Sequence, residues 1–221
     1  MKHPEESPIL FGPSSALFGV LTRPSHEAAA PVACLMFNFG IHSHIGPRRI
    51  QVKLARLLAA QGIASLRFDL SGIGESPPPR TALPFEAQAL QDLKAAVDHI
   101  ESTLGIRQVA VIGLCSGVAH GLRFALQDPR VVGLLSFDGY RFAGSQANAA
   151  RRFQRFLRLP VAQSVHWIKR LMGAQQPKDN MLQTNEPEHP VTPADFERGM
   201  DALVARDVVV HLIYSATMQS K

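Results

Sequence analysis

Residues 113–117 read Gly-Leu-Cys-Ser-Gly, preceded by the apolar run Gln108–Ile112 and followed by a helical pattern reaching about Leu126. A strand, a tight turn of the form G-x-S-x-G and a helix make a nucleophile elbow; here cysteine holds the central place. The flanking glycines suit a strained turn with the helix packed close on the strand. Cys115 is therefore the candidate nucleophile. A thiol reacts as its thiolate, with a free pKa of about 8.5, and the helix beginning at Ser116 offers its positive end. The bland alternative is a small buried hydrophobe, a common fate of free cysteine. Ser116 lies one residue past the apex and is the weaker nucleophile. Its backbone N–H is the one such a turn aims at a developing oxyanion.

A second oxyanion donor is expected from the loop Asn38-Phe39-Gly40-Ile41-His42-Ser43-His44-Ile45-Gly46-Pro47, through the N–H of Gly40 or Ile41. The same loop carries the two best candidates for a general base, His42 and His44, with exposed loop histidines as the alternative. Asp138 follows an apolar run and could orient a histidine; pairing with Arg141 or with local amides is the competing reading. His120 should point away behind the elbow. His211 falls in a strand, and His166 and His189 fall in a polar stretch. The segment Asp69-Leu70-Ser71-Gly72-Ile73-Gly74-Glu75-Ser76 superficially resembles a phosphate loop. A phosphate cradle must open directly into a helix, and Pro77-Pro78-Pro79 follows instead, so a structural turn is expected. No spacing of Cys, His or carboxylates suggests a metal site, and no cofactor is expected.

The elements that must position these groups alternate along the chain. Strands are expected at Ala16–Thr22, Val32–Phe37, Ile63–Leu70, Gln108–Ile112, Val131–Phe137 and Val208–Tyr214. Helices are expected over Arg48–Gln61, from about Pro84 to Leu104, after the elbow, and from Thr192-Pro193-Ala194-Asp195 to about Arg206. That last start has a capping threonine, a first-turn proline and an acid at the third position. Such alternation predicts an α/β fold: a mainly parallel sheet with helices on both faces.

With 221 residues, 46% of them hydrophobic, the chain suits one globular core without disulfides. Its two cysteines sit in apolar runs and point to a reducing, cytoplasmic compartment. The N-terminal MKHPEESPILFGPSS lacks the apolar core of a signal peptide. The formal charge of +5 is unevenly placed: Arg151, Arg152, Arg155, Arg158, Lys169 and Arg170 lie in a stretch without acids. The core is expected to comprise 1–140 and 193–221, with 141–192 inserted as a basic helical cap. Residues 151–172 mix these cations with Phe153, Phe156 and Trp167. They could cover the site mouth and select a greasy acyl chain, or touch an anionic membrane surface. No nucleic-acid-binding module is recognisable.

Together, the Gly113–Gly117 elbow, the Asn38–Gly46 loop and the DLSGIGES turn resemble the α/β-hydrolase family, whose turn reads D-x-x-G-x-G-x-S. GLCSG with FDGY after the next strand is similar to bacterial hydrolases associated with exopolysaccharide and exosortase gene clusters. The resemblance covers roughly residues 15–140 and 193–215. It implies acyl transfer on a small-molecule ester, thioester or amide. It also implies a histidine after the last strand, whereas Ser215–Lys221, at most ~25 Å when extended, holds no His, Asp or Glu. The expectation is thus a hydrolase with Cys115 as nucleophile and the base unassigned, His42 and His44 being its best candidates. The alternative is a non-catalytic or shortened module that binds an acyl group, a lipid or a protein, with the final strand left as an edge open to dimerisation.

Overall fold

The computed structural model describes residues 4–25, 30–80, 82–139 and 192–215. Seven strands form one sheet: β1 (Glu5–Phe11), β2 (Leu17–Arg23), β3 (Val32–Phe37), β4 (Ser65–Phe68), β5 (Gln108–Leu114), β6 (Val131–Phe137) and β7 (Val209–Ile213). Their spatial order is β1-β2-β4-β3-β5-β6-β7. β1 and β2 form an antiparallel hairpin, and β2 runs antiparallel to β4. Every later pairing is parallel. The helices are α1 (Ile50–Ala60), α2 (Phe85–Leu104), α3 (Gly117–Gln127) and α4 (Pro193–Val204).

Side-chain alternation along β3 shows how the sheet is buried on both faces. Ala33, Leu35 and Phe37 join a large cluster with residues of α2, α3 and α4, including Leu93, Val97, Leu122, Phe124 and Leu203. Cys34 and Met36 point the other way and meet Ala55 of α1 and Ile112 of β5. A strand covered on both faces needs a continuous apolar run, which is what Val32–Phe37 supplies. This two-sided burial brings β3 and β5 side by side, with Leu35 opposite Val111 and Met36 opposite Ile112. The carboxyl ends of both strands, where the 38–47 loop and the elbow begin, are therefore neighbours.

β1 precedes the first strand expected from the sequence, Ala16–Thr22. Pro8 lies within it, paired in register with Val20. An edge strand tolerates proline because one side of its backbone has no ladder to complete. At the opposite edge, β7 pairs with β6. Val209, Leu212 and Ile213 of β7 are exposed. The capping signal at Thr192 is realised: its hydroxyl accepts from Asp195 N–H at 3.2 Å, and the Asp195 carboxylate accepts from Thr192 N–H at 3.1 Å. No helix among the described residues is long and apolar enough to cross a membrane. The cap expected over 141–192, with its basic stretch 151–172, lies outside the described residues.

Below α3, one arginine gathers three carboxylates. Arg130 donates to both oxygens of Asp128 (3.0 and 2.7 Å), to Glu101 at 3.0 Å and to Asp98 at 2.8 Å. Burial alone would raise the Asp128 and Asp98 pKa values. Bonds from Arg130 at Asp128, and from Lys94 and then Arg130 at Asp98, outweigh it and hold both below the ordinary aspartate value. A carboxyl pKa depressed on folding brings stability that is present above about pH 4 and is lost as pH falls through the folded value. Arg130→Met is accordingly expected to cost about 2 kcal/mol at pH 7, between the limits for surface and buried pairs. Urea unfolding at pH 7 and at pH 3 checks this: the gap from wild type should shrink on acidification, and an unchanged gap would refute it.

Candidate active site

The elbow is built by a close approach of backbone to backbone. A Cβ added at Gly113 would lie 2.9 Å from Val118 Cα and 3.0 Å from Gly117 O. One added at Gly117 would lie 3.2 Å from the Phe37 ring and 3.5 Å from Asn38 O. Side chains at either position would push α3 off β5 or the elbow off β3. Between the two glycines Cys115 takes φ +49°, a left-handed conformation that L-residues with a Cβ avoid. Cross-links on both sides hold the strain. Cys115 N–H donates to Phe137 O at 2.8 Å, and Cys115 O accepts from Val118 N–H at 3.1 Å. The thiol is left exposed at the carboxyl edge of the sheet.

Ser116 takes up helical dihedrals, φ −61° and ψ −26°, as the cap of α3. The first N–H groups of a helix have no intrahelical acceptor, so Ser116 N–H stands beside the thiol as a donor. Its hydroxyl is committed elsewhere: Oγ accepts from Gly40 N–H at 2.8 Å, tying the elbow to the β3–α1 loop. Gly40 N–H, one of the two expected loop donors, therefore has an acceptor on the elbow itself. Ile41 N–H, the other expected donor, is the next along the loop. Gly40 itself has φ +54°, and a Cβ there would meet nothing within 4 Å. Glycine is needed for its dihedral and not for space.

The two loop histidines part company. His44 is buried at 3% exposure, its backbone N–H donating to Asp69 Oδ1 and its Nδ1 lying 2.8 Å from Asp69 Oδ2. It is not an exposed loop residue, and that expectation is corrected. A fully buried carboxylate must be surrounded by donors, and His44 supplies two of those that Asp69 needs. His42 is exposed. Its N–H closes a tight turn on Phe39 O at 3.1 Å, and its ring packs on Phe39 at 5.2 Å. Phe39 Cβ lies 3.6 Å from where a Gly117 Cβ would sit, which puts this turn against the start of α3.

Asp69 also accepts from Glu75 N–H at 3.1 Å, while Ser76 Oγ donates to Asp69 O at 2.7 Å and accepts from Phe18 N–H at 3.0 Å. Asn38 completes the link to the loop: its Oδ1 accepts from Leu70 N–H at 2.8 Å and its amide reaches Gly40 O at 3.4 Å. The 69–76 segment is thus a structural turn that fixes the oxyanion loop. Asn38 and Asp69 were visible within their motifs, but their organising role depends on contacts between distant residues.

Asp138 also sits at positive φ, +51°. Its N–H donates to Ile213 O at 2.9 Å and its Oδ1 accepts from Ser215 N–H at 2.7 Å. These partners are backbone groups around the end of β7; Arg141 lies outside the described residues. His120 is buried edge-on against Phe85 at 5.5 Å. Burial, helped by Arg123 and opposed by Glu86, lowers its pKa. His211 is exposed on β7, and His166 and His189 lie outside the described residues. Among the described residues, no group of three or more His, Cys, Asp or Glu could hold a metal ion.

The strand order, the left-handed turn at the end of β5 and the loop facing it define an α/β-hydrolase fold. Residues 29–197 match the family described as serine aminopeptidase, S33, and the chain belongs to that family. The family name specifies serine, whereas the elbow apex here is Cys115, with a serine immediately after it. The quorum-quenching protein AidA of Acinetobacter baumannii is 32% identical over 120 residues, which are 52% of this chain and 38% of AidA. The aligned stretch thus spans less than half of that relative's length. An esterase from Pyrococcus furiosus has a similar structure, with a TM-score of 0.57 at 14% identity, over 96% of this chain and 82% of that one. A dienelactone hydrolase-like promiscuous phosphotriesterase from metagenomic libraries gives a TM-score of 0.55 at 16% identity, over 97% and 82%. A hypothetical protein from Pseudomonas aeruginosa gives 0.53 at 21% identity, over 85% and 61%.

The two thiols should behave differently. Burial pushes the Cys34 pKa up to about 11, so below that pH it stays a thiol and is also sheltered beneath α1. At pH 8, iodoacetamide followed by peptide mass spectrometry should label Cys115 and leave Cys34 unmodified until urea is added. Equal labelling of both in the folded protein would contradict this placement.

Proposed function

We propose that the protein is an acyl-transfer hydrolase of small esters or thioesters that uses Cys115 as its nucleophile. The observation carrying this reading is the exposed thiol at φ +49° on the elbow, a costly conformation that presents one side chain at the sheet edge. Cys115 is favoured over Ser116 because Ser116 has unstrained helical dihedrals and its Oγ already accepts a hydrogen bond.

In this reading His42 takes the Cys115 thiol proton, the thiolate attacks the acyl carbonyl, and the carbonyl π pair moves onto oxygen. The resulting oxyanion accepts from Ser116 N–H and Ile41 N–H. Collapse expels the alkoxide or thiolate leaving group, which takes a proton from His42, and leaves a thioester on Cys115. Water then gives its proton to His42 and attacks the thioester, releasing the carboxylic acid and the thiol. His42 is the candidate base because it is exposed in the turn packed against the elbow, whereas His44 is committed to Asp69. Backbone N–H groups and thiolate chemistry suffice for these steps, and the reading assigns no cofactor.

A panel of p-nitrophenyl esters and acyl thioesters of increasing chain length tests the proposal. Cys115→Ala should lose at least about 100-fold in turnover, and His42→Ala about 10²-fold or more. His44→Gln should instead lower the thermal midpoint, through the Asp69 contacts. Wild-type protein inert toward the whole panel, yet retaining a bound lipid or acyl ligand, would favour a non-catalytic binding module.

A further inference from the structure

The contact between Ser116 Oγ and Gly40 N–H has a use that the acyl-transfer reading does not require. Four observations meet at Gly40. Its N–H donates to Ser116 Oγ at 2.8 Å, across 76 residues of sequence. Its carbonyl faces the Asn38 amide at 3.4 Å, and the same Asn38 side chain accepts from Leu70 N–H at 2.8 Å. Its φ of +54° turns the chain so that the following peptide, bearing Ile41 N–H, departs in a new direction. A Cβ added at Gly40 would meet nothing within 4 Å among the described residues, so the glycine serves its dihedral and not a close approach.

The Ile41 side chain is 81% exposed, so it anchors nothing either. Ile41 N–H lies within the turn that His42 N–H closes on Phe39 O at 3.1 Å. The 2.8 Å bond from Gly40 N–H to Ser116 ties that turn directly to the elbow. The hydroxyl of Ser116 also retains its own proton, so it holds the loop without consuming a donor that the oxyanion needs.

We propose that Ser116 is a positioning residue. Its hydroxyl captures Gly40 N–H and so fixes Ile41 N–H opposite Ser116 N–H, completing the oxyanion hole around Cys115. One residue thereby serves twice, with its main chain as an oxyanion donor and its side chain as the clamp that sets the other donor. The inference rests on the acyl-transfer reading of the same site. It concerns only steps that pass through a tetrahedral oxyanion. Alkylation of the thiol at a saturated carbon forms no such species, and that difference separates the two claims.

The test compares wild type, Ser116→Ala and Ser116→Thr in two reactions of Cys115: acylation by p-nitrophenyl butyrate, followed as p-nitrophenol release, and alkylation by iodoacetamide. Ser116→Ala should slow the maximal acylation rate by about 10- to 100-fold, less than outright removal of an oxyanion donor. KM and the alkylation rate should stay within about twofold. Ser116→Thr keeps the hydroxyl and should restore most of the acylation rate. Acylation of Ser116→Ala at the wild-type rate would overturn the inference and leave the acyl-transfer reading standing. So would an equal fall in acylation and alkylation, because the hydroxyl would then act on the thiol and not on the oxyanion. Wild-type protein that is alkylated at Cys115 but never acylated would overturn the acyl-transfer reading and this inference with it.

Discussion

The site depends on one strained residue. A left-handed Cys115 is tolerated only because β5 enters the turn and α3 leaves it with their backbones nearly touching, Gly113 against Val118. β6 adds the third support through Phe137 O. Holding a non-glycine residue in this region costs on the order of 1–3 kcal/mol, which the packed strand–turn–helix must offset. The exposed thiol is the return on that cost. Either glycine replaced by a larger residue would let the turn relax and withdraw the thiol from the sheet edge.

The second constraint is burial of Asp69. A carboxylate with no solvent contact requires donors, and it takes them from His44 at the end of the oxyanion loop and from Glu75 N–H in its own turn. Asn38 fastens the start of the same loop to Leu70, next to Asp69 in sequence. Electrostatic demand beneath the sheet edge thus becomes geometric order above it. The loop that faces the elbow is fixed at both ends before any substrate arrives, which is the preorganisation that oxyanion stabilisation requires.

Much of this architecture can be read along the chain because it rests on local rules. Continuous apolar runs mark doubly covered strands, and the Thr192–Asp195 cap and the Gly-x-Cys-x-Gly turn carry their signals within a few residues. The first strand escapes such rules because Pro8 and two adjacent acids mask its pattern; its edge position permits both. The site was only half legible. The position of Cys115 follows from its flanking glycines, whereas the burial of His44 depends on Asp69, 25 residues away. The bond that ties Gly40 to the elbow reaches a hydroxyl 76 residues away. Long-range hydrogen bonds leave no periodicity to read.

The central claim is that acyl groups pass through sulfur at the elbow, in a family named for serine chemistry. The most direct measurement is to mix the protein with p-nitrophenyl butyrate, quench in acid within milliseconds to seconds, digest at low pH and locate the butyryl group by tandem mass spectrometry. The account predicts a butyryl thioester on Cys115, released by neutral hydroxylamine. An oxygen ester on Ser116, or turnover with no covalent adduct on either residue, would contradict it.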